Sequence, residues 1–349
     1  AQLREAWDRF MDDLKSMGHE LLASAPTDPD RVDGIRFLLR QLAYREEQLI
    51  EFPRTARPEF FLPESPTRKI FADCPDTIYR QFNVAVGGVY RITGTRGASP
   101  YISFTAYRAA VTDRVVADLH DGEIVVGDDG TFELTVGGAP QDTNWLDLGD
   151  DAAFVVIREY CHDRERGVKA TFDVAQIDPE SGHRDDLDAA GLEAALGIMS
   201  FGLGWSNTAT MNLSTALNER PNIMNEAAAE LVSEMAGTPH NHYQLCYVRL
   251  EQGQALELEL TPPPCRYWSV HLNNWWLESP EFRDGQSVCI NDARAERQPD
   301  GSVKVLVGPD DPGGGNWLDT KGRTETILLA RYLLPTAELP PITTNVVAI

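Results

Sequence analysis

The sequence has few cysteines, none of them closely paired, and no long apolar run, and each shortage excludes a class of protein. Its five cysteines include no Cys-x-x-Cys pair, which excludes a zinc ribbon and a dithiol redox motif. No apolar stretch approaches the roughly 18 residues that a membrane-spanning helix needs. The opening segment is acidic and amphipathic, so we expect no signal peptide. Unpaired thiols fit a reducing compartment, and we expect a cytoplasmic protein.

Basic residues are also scarce relative to acidic ones. The chain holds 31 Lys and Arg against 54 Asp and Glu, a formal net charge of −23. That much negative charge repels phosphate backbones and anionic lipid. We therefore expect neither a nucleic acid nor a membrane surface as partner. A small neutral or cationic ligand suits such a protein better, and a homo-oligomer is left open.

Motifs for nucleotide-driven or hydrolase chemistry are missing as well. The sequence contains no phosphate-binding loop, no dinucleotide glycine fingerprint and no Gly-x-Ser-x-Gly elbow. The stretch Gly202–Ser206 comes near to these motifs but has none of their spacings. No cofactor is indicated.

The sequence does contain one internal repeat, a pattern that occurs twice. In each copy an Asp-Gly turn and an alternating apolar segment lead to Asn-Trp-Leu-Asp and then to a strand-like segment that ends in Tyr. The first copy comprises Asp129–Val136, Asn144–Asp147 and Val155–Tyr160, and the second comprises Asp300–Val307, Asn316–Asp319 and Ile327–Tyr332. The Asp-Gly to Asn-Trp spacing is 15 residues in the first copy and 16 in the second. Such a repeat predicts two related β lobes in one chain.

Periodicity and turn signals add helices to these lobes. Apolar residues three and four apart predict a helix over 2–24, and Thr27-Asp28-Pro29 begins a second helix. Short β-branched and aromatic segments between glycine-containing turns predict antiparallel sandwiches. The predicted fold is mainly β with α: two jelly-roll-like sandwich lobes, an N-terminal helical hairpin and a helical insert between the lobes. The predicted boundaries are 1–70 for the helical segment, 71–180 for the first lobe, 181–238 for the insert and 239–349 for the second lobe.

Several individual elements are predicted within this frame. Glu123–Val126 is predicted as a strand and Asn222–Met235 as a helix. Leu187–Met199 is predicted as a helix, whereas the glycine-broken segment Ser200–Thr215 is ambiguous.

The second copy resembles a known family. The segments that carry the resemblance are Cys265–Ser269, Asn274–Ser279, Pro299–Gly301, Asp310–Pro312 and Asn316–Thr320. They are similar to the domain-of-unknown-function family 1214, and Asp73–Tyr79 with Tyr90–Gly94 is similar to the portion that precedes that domain in longer members. The resemblance runs from about Asp73 to Leu334. It implies a jelly-roll sandwich for the C-terminal domain and implies no activity.

The Asn-Trp-Leu-Asp segments favour a structural role. Asn can close an Asx-type turn while Trp fills the end of the sandwich. Asp147 and Asp319 are predicted to pair with Arg158 and Arg331, which recur behind them in both copies. Because the pattern is present in both lobes, a structural corner explains it better than a reaction site does.

His240 and His242 form a candidate metal pair. Two residues apart on a strand, both imidazoles point to one face and can hold a metal. A carboxylate at the cupin spacing is missing, because Cys246 and Tyr247 occupy those positions. The alternative is that one histidine caps the start of the strand while the other is solvated.

The stretch from His271 to Arg283 is the densest polar and aromatic segment. Strand alternation places Asn274, Trp276 and Glu278 on one face. Stacking combined with hydrogen bonding suits a small polar ligand such as a sugar. The alternative is a buried tryptophan strand whose polar residues satisfy backbone groups.

Asp73, Asp76, Tyr79 and Arg80 form a charged cluster before the first lobe. Two carboxylates beside a phenol suit acid–base work if apolar surroundings raise one pKa. The alternative is an ordinary Pro-Asp turn.

Two functions remain open, and the first is favoured, because 349 residues with helices between the lobes are more than a binding module needs. One is an enzyme that acts on a small polar or glycosidic substrate in a cleft between the lobes, with Asp76, Glu278 and His242 as acid–base residues. In that hypothesis the ligand-binding residues are Tyr79, Arg80, Tyr243, Asn274, Trp276 and Arg283, with Trp276 as stacking surface. The other is a non-catalytic protein that binds a small molecule or carbohydrate with the same residues, or that serves in assembly.

Overall fold

A computed structural model of the chain describes residues 2–109, 113–177, 187–225, 239–280 and 287–349. Its residues form two compact units. The first unit comprises Ala1–Arg68 and Thr77–Thr208, and the second comprises Lys69–Asp76 and Ala209–Ile349. The N-terminal helices therefore group with the first lobe, and a short segment from before that lobe groups with the second lobe.

The N-terminal hairpin follows from its apolar stripe and its cap. Helix α1 (Gln2–Ser24) buries Phe10, Met17 and Leu21, which lie three or four residues apart or at multiples of that spacing. Helix α2 (Asp28–Glu46) begins behind Thr27, whose hydroxyl accepts from the amide of Asp30 at 3.3 Å. A π-helical turn, Glu47–Glu51, continues α2. Both helices are where the sequence predicts them.

The first lobe is a sandwich of eight strands. They are β1 (Thr77–Asn83), β2 (Tyr90–Thr95), β3 (Tyr101–Arg108), β4 (Val115–His120), β5 (Thr131–Val136), β6 (Trp145–Leu146), β7 (Ala152–Tyr160) and β8 (Thr171–Gln176). Sheet I has the order β1-β7-β3-β4 and sheet II the order β6-β5-β2-β8. The ladders are antiparallel except between β5 and β6.

The second lobe has the same plan. Its strands are β9 (Asn241–Arg249), β10 (Gln254–Leu260), β11 (Tyr267–Asn273), β12 (Cys289–Asn291), β13 (Val303–Gly308), β14 (Asn316–Asp319), β15 (Glu325–Leu333) and β16 (Thr343–Ala348). Sheet III has the order β9-β15-β11-β12 and sheet IV the order β14-β13-β10-β16. Each strand thus occupies the position of the strand eight places earlier in the chain. The predicted mainly β fold with two sandwich lobes and added helices is confirmed.

Alternation along the strands builds each core. In the first lobe Ile92, Phe104 and Ile157 are buried in one apolar cluster. In the second lobe Val270 and Ala330 belong to the equivalent cluster. Successive side chains of a strand point to opposite faces, so these residues leave their neighbours on the outer faces of their sheets, including sheets I and III.

The helical insert contains one long helix. Helix α3 (Ala189–Asn218) runs without interruption through Gly202 and Gly204, so the ambiguous segment Ser200–Thr215 is helical. Glycine lowers helix stability by about 1 kcal/mol relative to alanine but does not end a helix that is packed along its length. Among the described helices, none is both long and apolar enough to cross a membrane.

Two predicted elements differ from the structure. Glu123–Val126 is not a strand, because the side chain of Asn144 occupies the backbone groups of Val125 that a neighbouring strand would need. The described part of the predicted helix Asn222–Met235 is not helical either. There Asn225 pairs with Leu245 of β9 instead, and residues 226–235 lie outside the described residues.

The Asn-Trp-Leu-Asp segments form β6 and β14 with the residues beside them. Their aspartates accept from backbone amides two residues on, Asp147 from Gly149 at 2.9 Å and Asp319 from Lys321 at 2.6 Å. The predicted pairing of these aspartates with Arg158 and Arg331 is wrong, because both arginines lie on the outer sheet faces and bind other groups, described below.

Candidate functional site

The outer face of sheet III is polar and yet buried. Along β11 the core takes Trp268, Val270 and Leu272, so the alternating residues lie on the opposite face. Those residues are Tyr267, Ser269, His271 and Asn273, and none of them has solvent-exposed surface. Polar groups buried in this number need partners, because burial without a hydrogen bond is costly.

The segment Lys69–Asp76 covers part of this face. Arg331 of β15 donates to the carbonyl oxygen of Ala72 at 3.0 Å. The amide of Ala72 donates to the carbonyl oxygen of Leu277 at 2.8 Å. The segment is therefore tied both to sheet III and to the turn after β11.

Asp73 forms one buried ion pair in this segment. Its carboxylate accepts from the Ser279 amide at 2.9 Å and from the Ser279 hydroxyl. Lys69 Nζ lies 3.6 Å from Oδ2, and both charged side chains have no exposed surface. A buried carboxylate that is paired and hydrogen-bonded in this way holds chain segments together.

The Asp76 carboxylate contacts four side chains. Oδ2 accepts from the Tyr267 hydroxyl at 2.8 Å and from Asn291 Nδ2 at 2.7 Å, and it lies 3.2 Å from Cys289 Sγ. Arg294 Nη2 lies 2.7 Å from Oδ1 and 3.0 Å from Oδ2. Because Asp76 is only 4% exposed, Arg294 is its counter-charge within the protein.

These contacts fix the protonation of the surrounding groups. Burial, reinforced by the Asp76 carboxylate, raises the pKa of the Tyr267 phenol and of the Cys289 thiol well above their usual ranges. Burial alone would lower the pKa of Arg294, but Asp76, Cys289 and Tyr267 together outweigh it and raise that pKa. The cluster is therefore a carboxylate–guanidinium pair with neutral thiol and phenol donors. Its oxygens are occupied, which suits an anchor better than a general base.

His271 is neutral and its ring orientation is fixed. Arg331 Nη2 lies 3.2 Å from Nε2, and Nδ1 lies 3.5 Å from the carbonyl oxygen of Leu272. A guanidinium can only donate, so Nε2 accepts and Nδ1 carries the proton. Burial, together with the positive charges of Arg331 and Lys69, lowers the pKa of His271 well below its usual range. The imidazole serves as an acceptor for a buried arginine.

Arg158 holds the corresponding position in the first lobe. Its Nη1 donates to the Thr105 hydroxyl at 3.1 Å and its Nη2 to the Tyr107 hydroxyl at 2.8 Å. Its guanidinium carbon lies 6.0 Å from the ring centre of Tyr79. Burial works against the charged form, but the phenols of Tyr107 and Tyr79 outweigh it, and the pKa of Arg158 is raised. Tyr79, a predicted ligand-binding residue, therefore packs against a buried arginine.

Arg80, the next predicted residue, belongs to a separate ion pair. Its Nη1 donates to Glu159 Oε2 at 3.0 Å, and its guanidinium carbon lies 4.9 Å from the ring centre of Phe172. Glu159 Oε1 also accepts from the Ser99 hydroxyl and from the Ala170 amide, each at 2.7 Å. Arg80 thus helps to neutralise a buried carboxylate of sheet I.

The two candidate metal-binding histidines belong to β9 and to the turn before it. His242 is exposed on β9 and pairs in the ladder with Tyr332, whose side chain belongs to the sandwich core. His242 is therefore on the opposite face of sheet III from Tyr267. His240 lies in the turn before β9.

The remaining predicted residues line a tight turn and the sheet beside it. Asn274 Oδ1 accepts from the amides of Trp276 at 2.9 Å and Glu278 at 3.0 Å, and both of those side chains are fully buried. Tyr243 is buried with its ring centre 5.5 Å from the Arg331 guanidinium carbon. Arg283 lies outside the described residues.

A cavity of about 280 Å³ lies within the first unit. Residues of α2, the π-helical turn, sheet I and α3 line it. Its charged groups are Arg45 and Arg114, and its apolar walls include Leu49, Phe154 and Trp205. None of the described lining residues is acidic. The volume is near the lower end of the range for small-molecule sites.

Arg45 reaches the cavity across the backbone of α3. Its Nη2 lies 3.4 Å from the Gly202 carbonyl oxygen, and its Nε is buried with no hydrogen-bond partner among the described residues. A Cβ at Gly202 would lie 2.7 Å from Cζ of Arg45, so a side chain at this position would displace the guanidinium. Burial lowers the pKa of Arg45; the Tyr44 phenol opposes this shift and the Arg114 guanidinium adds to it.

Arg114 lies among aromatic rings at the cavity wall. Its guanidinium carbon is 5.7 Å from the ring centre of Trp205 and 5.9 Å from those of Phe154 and Tyr107. Cation–π attraction holds a guanidinium at such distances. The first unit therefore places two positive charges and an aromatic wall around one small cavity.

The sequence pattern did not reveal this cavity. Arg45 and Gly202 are separated by 157 residues, and Gly202–Ser206 stands out in the sequence only as an incomplete elbow motif. The available signal is a glycine beside Phe201 with Trp205 one turn later, which places two aromatic side chains and a gap on one face of a helix.

The C-terminal part of the chain matches a known family. Residues 248–337 match the family described as "Protein of unknown function (DUF1214)". Residues 248–337 are the DUF1214-matching segment of the chain. The predicted resemblance is therefore confirmed over these residues. The DUF1214 segment lies in the second unit and contains Tyr267, Cys289 and Arg294, whereas the cavity of Arg45 and Arg114 lies outside it.

Solved structures resemble the chain beyond the DUF1214 segment. An uncharacterized protein from Burkholderia cenocepacia is 29% identical, with a TM-score of 0.93, over 99% of this chain and 98% of that chain. A protein from Vibrio parahaemolyticus is 10% identical, with a TM-score of 0.51, over 89% of this chain and 97% of that chain. The second likeness shows the fold alone. None of the curated proteins matches the sequence.

Proposed function

We propose that the protein binds a small organic anion, a carboxylate with an apolar body, in the cavity of Arg45 and Arg114. The observation that carries this proposal is the Arg45 guanidinium, whose Nε is buried beside the cavity without a partner among the described residues. A buried donor of this kind is unfavourable, and a ligand carboxylate supplies the acceptor that it lacks.

The rest of the cavity suits the same ligand. Arg114 adds a second positive charge, and Leu49, Phe154 and Trp205 offer apolar surface to the body of the ligand. The net charge of −23 acts against anions at long range. Salt screens that repulsion over about 10 Å at 0.1 M, so the arginines in contact with the ligand outweigh it.

The acid–base enzyme hypothesis has less support. It needs Asp76, Glu278 and His242 around one substrate. Asp76 accepts from four side chains, and His242 lies on the opposite face of sheet III from Tyr267, a partner of Asp76. Of the two predicted functions, non-catalytic binding of a small molecule is therefore the one we favour.

Calorimetric titration with benzoate tests the proposal, with neutral benzamide as the matched ligand. We expect benzoate to bind more tightly than benzamide, because only the carboxylate pairs with the guanidinium groups. Arg45→Gln should weaken benzoate binding about 10-fold to 100-fold, the range for losing a charged hydrogen bond. Arg45→Lys should retain part of the affinity, since it keeps the charge but loses the planar fork.

Arg31→Gln is the control, because it removes the same charge from an exposed position on the same helix. It should leave benzoate affinity unchanged, and circular dichroism should show that every variant is folded. Equal affinities for benzoate and benzamide, or equal effects of Arg45→Gln and Arg31→Gln, would refute the proposal.

A further inference from the structure

A second concavity of the first unit adjoins the cavity. It is a groove of about 610 Å³ between α1 and α3. Phe10 and Met17 of α1 form one wall, and Leu196, Phe201 and Trp205 belong to the other. Small residues keep the α3 side open; a Cβ at Gly197 would meet nothing within 4 Å. This groove is long, because α3 lines it from Glu193 to Thr208, about 22 Å at 1.5 Å per residue.

The groove and the cavity share a wall. Phe201 and Trp205 line both, and they lie one turn apart on the same face of α3. Phe201 is 66% exposed, an unfavourable position for a large apolar side chain unless something covers it. One end of this continuous surface carries the two arginines, and the other end is mainly apolar.

We propose that the anion bound at Arg45 and Arg114 is the head group of a long-chain fatty acid, whose tail crosses Phe201 and Trp205 into the groove between α1 and α3. This inference rests on the proposed function and extends it to a ligand class. The charged residues that line the groove are Asp13, Glu193 and Arg9, so its lining carries a net negative charge that disfavours a carboxylate there. The charges therefore set one orientation, with the head in the cavity and the tail in the groove.

Saturated fatty acids of increasing length test the inference, each titrated calorimetrically below its micelle concentration. We expect the dissociation constant to fall from butyrate through octanoate to laurate, by about fourfold for each methylene that becomes buried. Methyl laurate should bind more weakly than laurate, because the ester carries no charge for the arginines.

Two variants separate the tail from the head. Gly197→Phe fills the groove, so laurate should bind at least about tenfold more weakly and lengthening the chain should bring little gain. Arg45→Gln should weaken every chain length by a similar factor. Ala216→Phe is the control, because it adds the same side chain at an exposed position of the same helix and should leave the series unchanged.

The outcomes are distinguishable. If butyrate and benzoate bind but affinity does not rise with chain length, the tail assignment is wrong and the anion site stands. The same conclusion follows if Gly197→Phe keeps the wild-type length dependence. If light scattering shows a dimer that Gly197→Phe dissociates, the groove holds a second copy of the chain rather than a tail. If no carboxylate of any length binds, the proposed function fails as well.

Discussion

The same side chain closes the same gap in both lobes. Asn144 Oδ1 accepts from the Val125 amide at 2.7 Å, and its Nδ2 donates to the carbonyl oxygens of Val125 at 2.9 Å and Glu133 at 2.8 Å. Asn316 makes the same three bonds to Glu296 and Lys304, each at 2.8 Å. One asparagine in each lobe thus replaces a strand pairing that the backbone alone does not provide.

The outer faces of sheets I and III have diverged around a shared arginine. Arg158 lies opposite Ser103 and Arg331 opposite Ser269 in their ladders. Arg158 binds the hydroxyls of Thr105 and Tyr107. The corresponding Arg331 binds a histidine ring and a backbone carbonyl, as described above. The position is kept, whereas its partners are not.

This difference distinguishes the residues that close the ends of the sandwich from the residues that form contacts on its outer faces. A backbone gap at the edge of a sheet admits few solutions, because each buried amide and carbonyl needs a partner. A sheet face accepts any set of side chains that satisfies one another. Residues that recur in both lobes at strand ends are therefore structural, and specific contacts are found on the faces and in the added helices.

We expect the largest loss of stability from removing the Asp76 carboxylate, which has no counterpart described in the first lobe. Asp76→Ala leaves the donors of Tyr267, Asn291 and Arg294 without their acceptor. We expect the free energy of unfolding to fall by about 3 kcal/mol, the lower end for breaking a buried pair, because the Arg294 side chain is half-exposed. Urea denaturation measures the change.

Asp310→Ala is the control for this variant, since Asp310 is an exposed loop aspartate. It should change the free energy of unfolding by less than about 0.5 kcal/mol. Equal effects of the two substitutions would show that Asp76 does not anchor the second unit.

The shared asparagines should give matched, intermediate effects. Asn316→Asp and Asn144→Asp keep the acceptor oxygen but set a carboxylate against two carbonyl oxygens. We expect losses of about 3 kcal/mol at Asn316, which is buried, and about 2 kcal/mol at the more exposed Asn144. Urea denaturation again measures the change, and Asn345→Asp on the exposed face of β16 serves as control. A loss at only one of the two sites would contradict their common role.

The smallest expected effect is a loss of stability in alkali. Burial raises the pKa of Cys246, in the second lobe, to about 12 and that of Cys161, in the first unit, to about 11. In the unfolded chain the pKa of a cysteine thiol is about 8.5. The folded state therefore holds protons that the unfolded state loses, and stability present below about pH 8.5 decreases as the pH rises toward these folded values.

Urea midpoints measured between about pH 8 and pH 10 follow this effect, with Cys246→Ala and Cys161→Ala as the variants. Each variant should flatten part of the alkaline slope, whatever it does to stability at neutral pH. A slope unchanged by both substitutions would assign the alkaline loss to other groups.

Local patterns predict the elements that carry their own signals. The apolar stripe of α1 and the Thr27 cap of α2 are local, so both helices are found at the predicted positions. Strand β4 is not predicted, because its pairing with β3 determines it more than its own sequence does. Its polar Asp118 and His120 obscure the alternation of apolar residues. Strand β12 was missed because three residues are too few to show a period.

The candidate sites depend on contacts that no local pattern reports. Asp76 was singled out from the sequence, but Tyr267 and Arg294 lie 191 and 218 residues away. The absence of a side chain at Gly202 becomes informative only when the structure shows Arg45 packed against it. Pairings of this kind are decided by tertiary packing, so the sequence indicates candidate residues without indicating their partners.

The position of Lys69–Asp76 has a consequence for the order of events during synthesis. This segment leaves the ribosome 191 residues ahead of Tyr267, the first strand residue that its Asp76 binds. At about 5–20 residues per second, that interval lasts roughly 10 to 40 s. The first lobe is translated completely in that time, while Lys69 and Asp73 have not yet met Ser279. Lys69–Asp76 is therefore synthesised before the rest of the second unit but contacts its partners there last. A nascent chain whose first lobe is complete still carries this charged segment before Tyr267 and Ser279 have been synthesised.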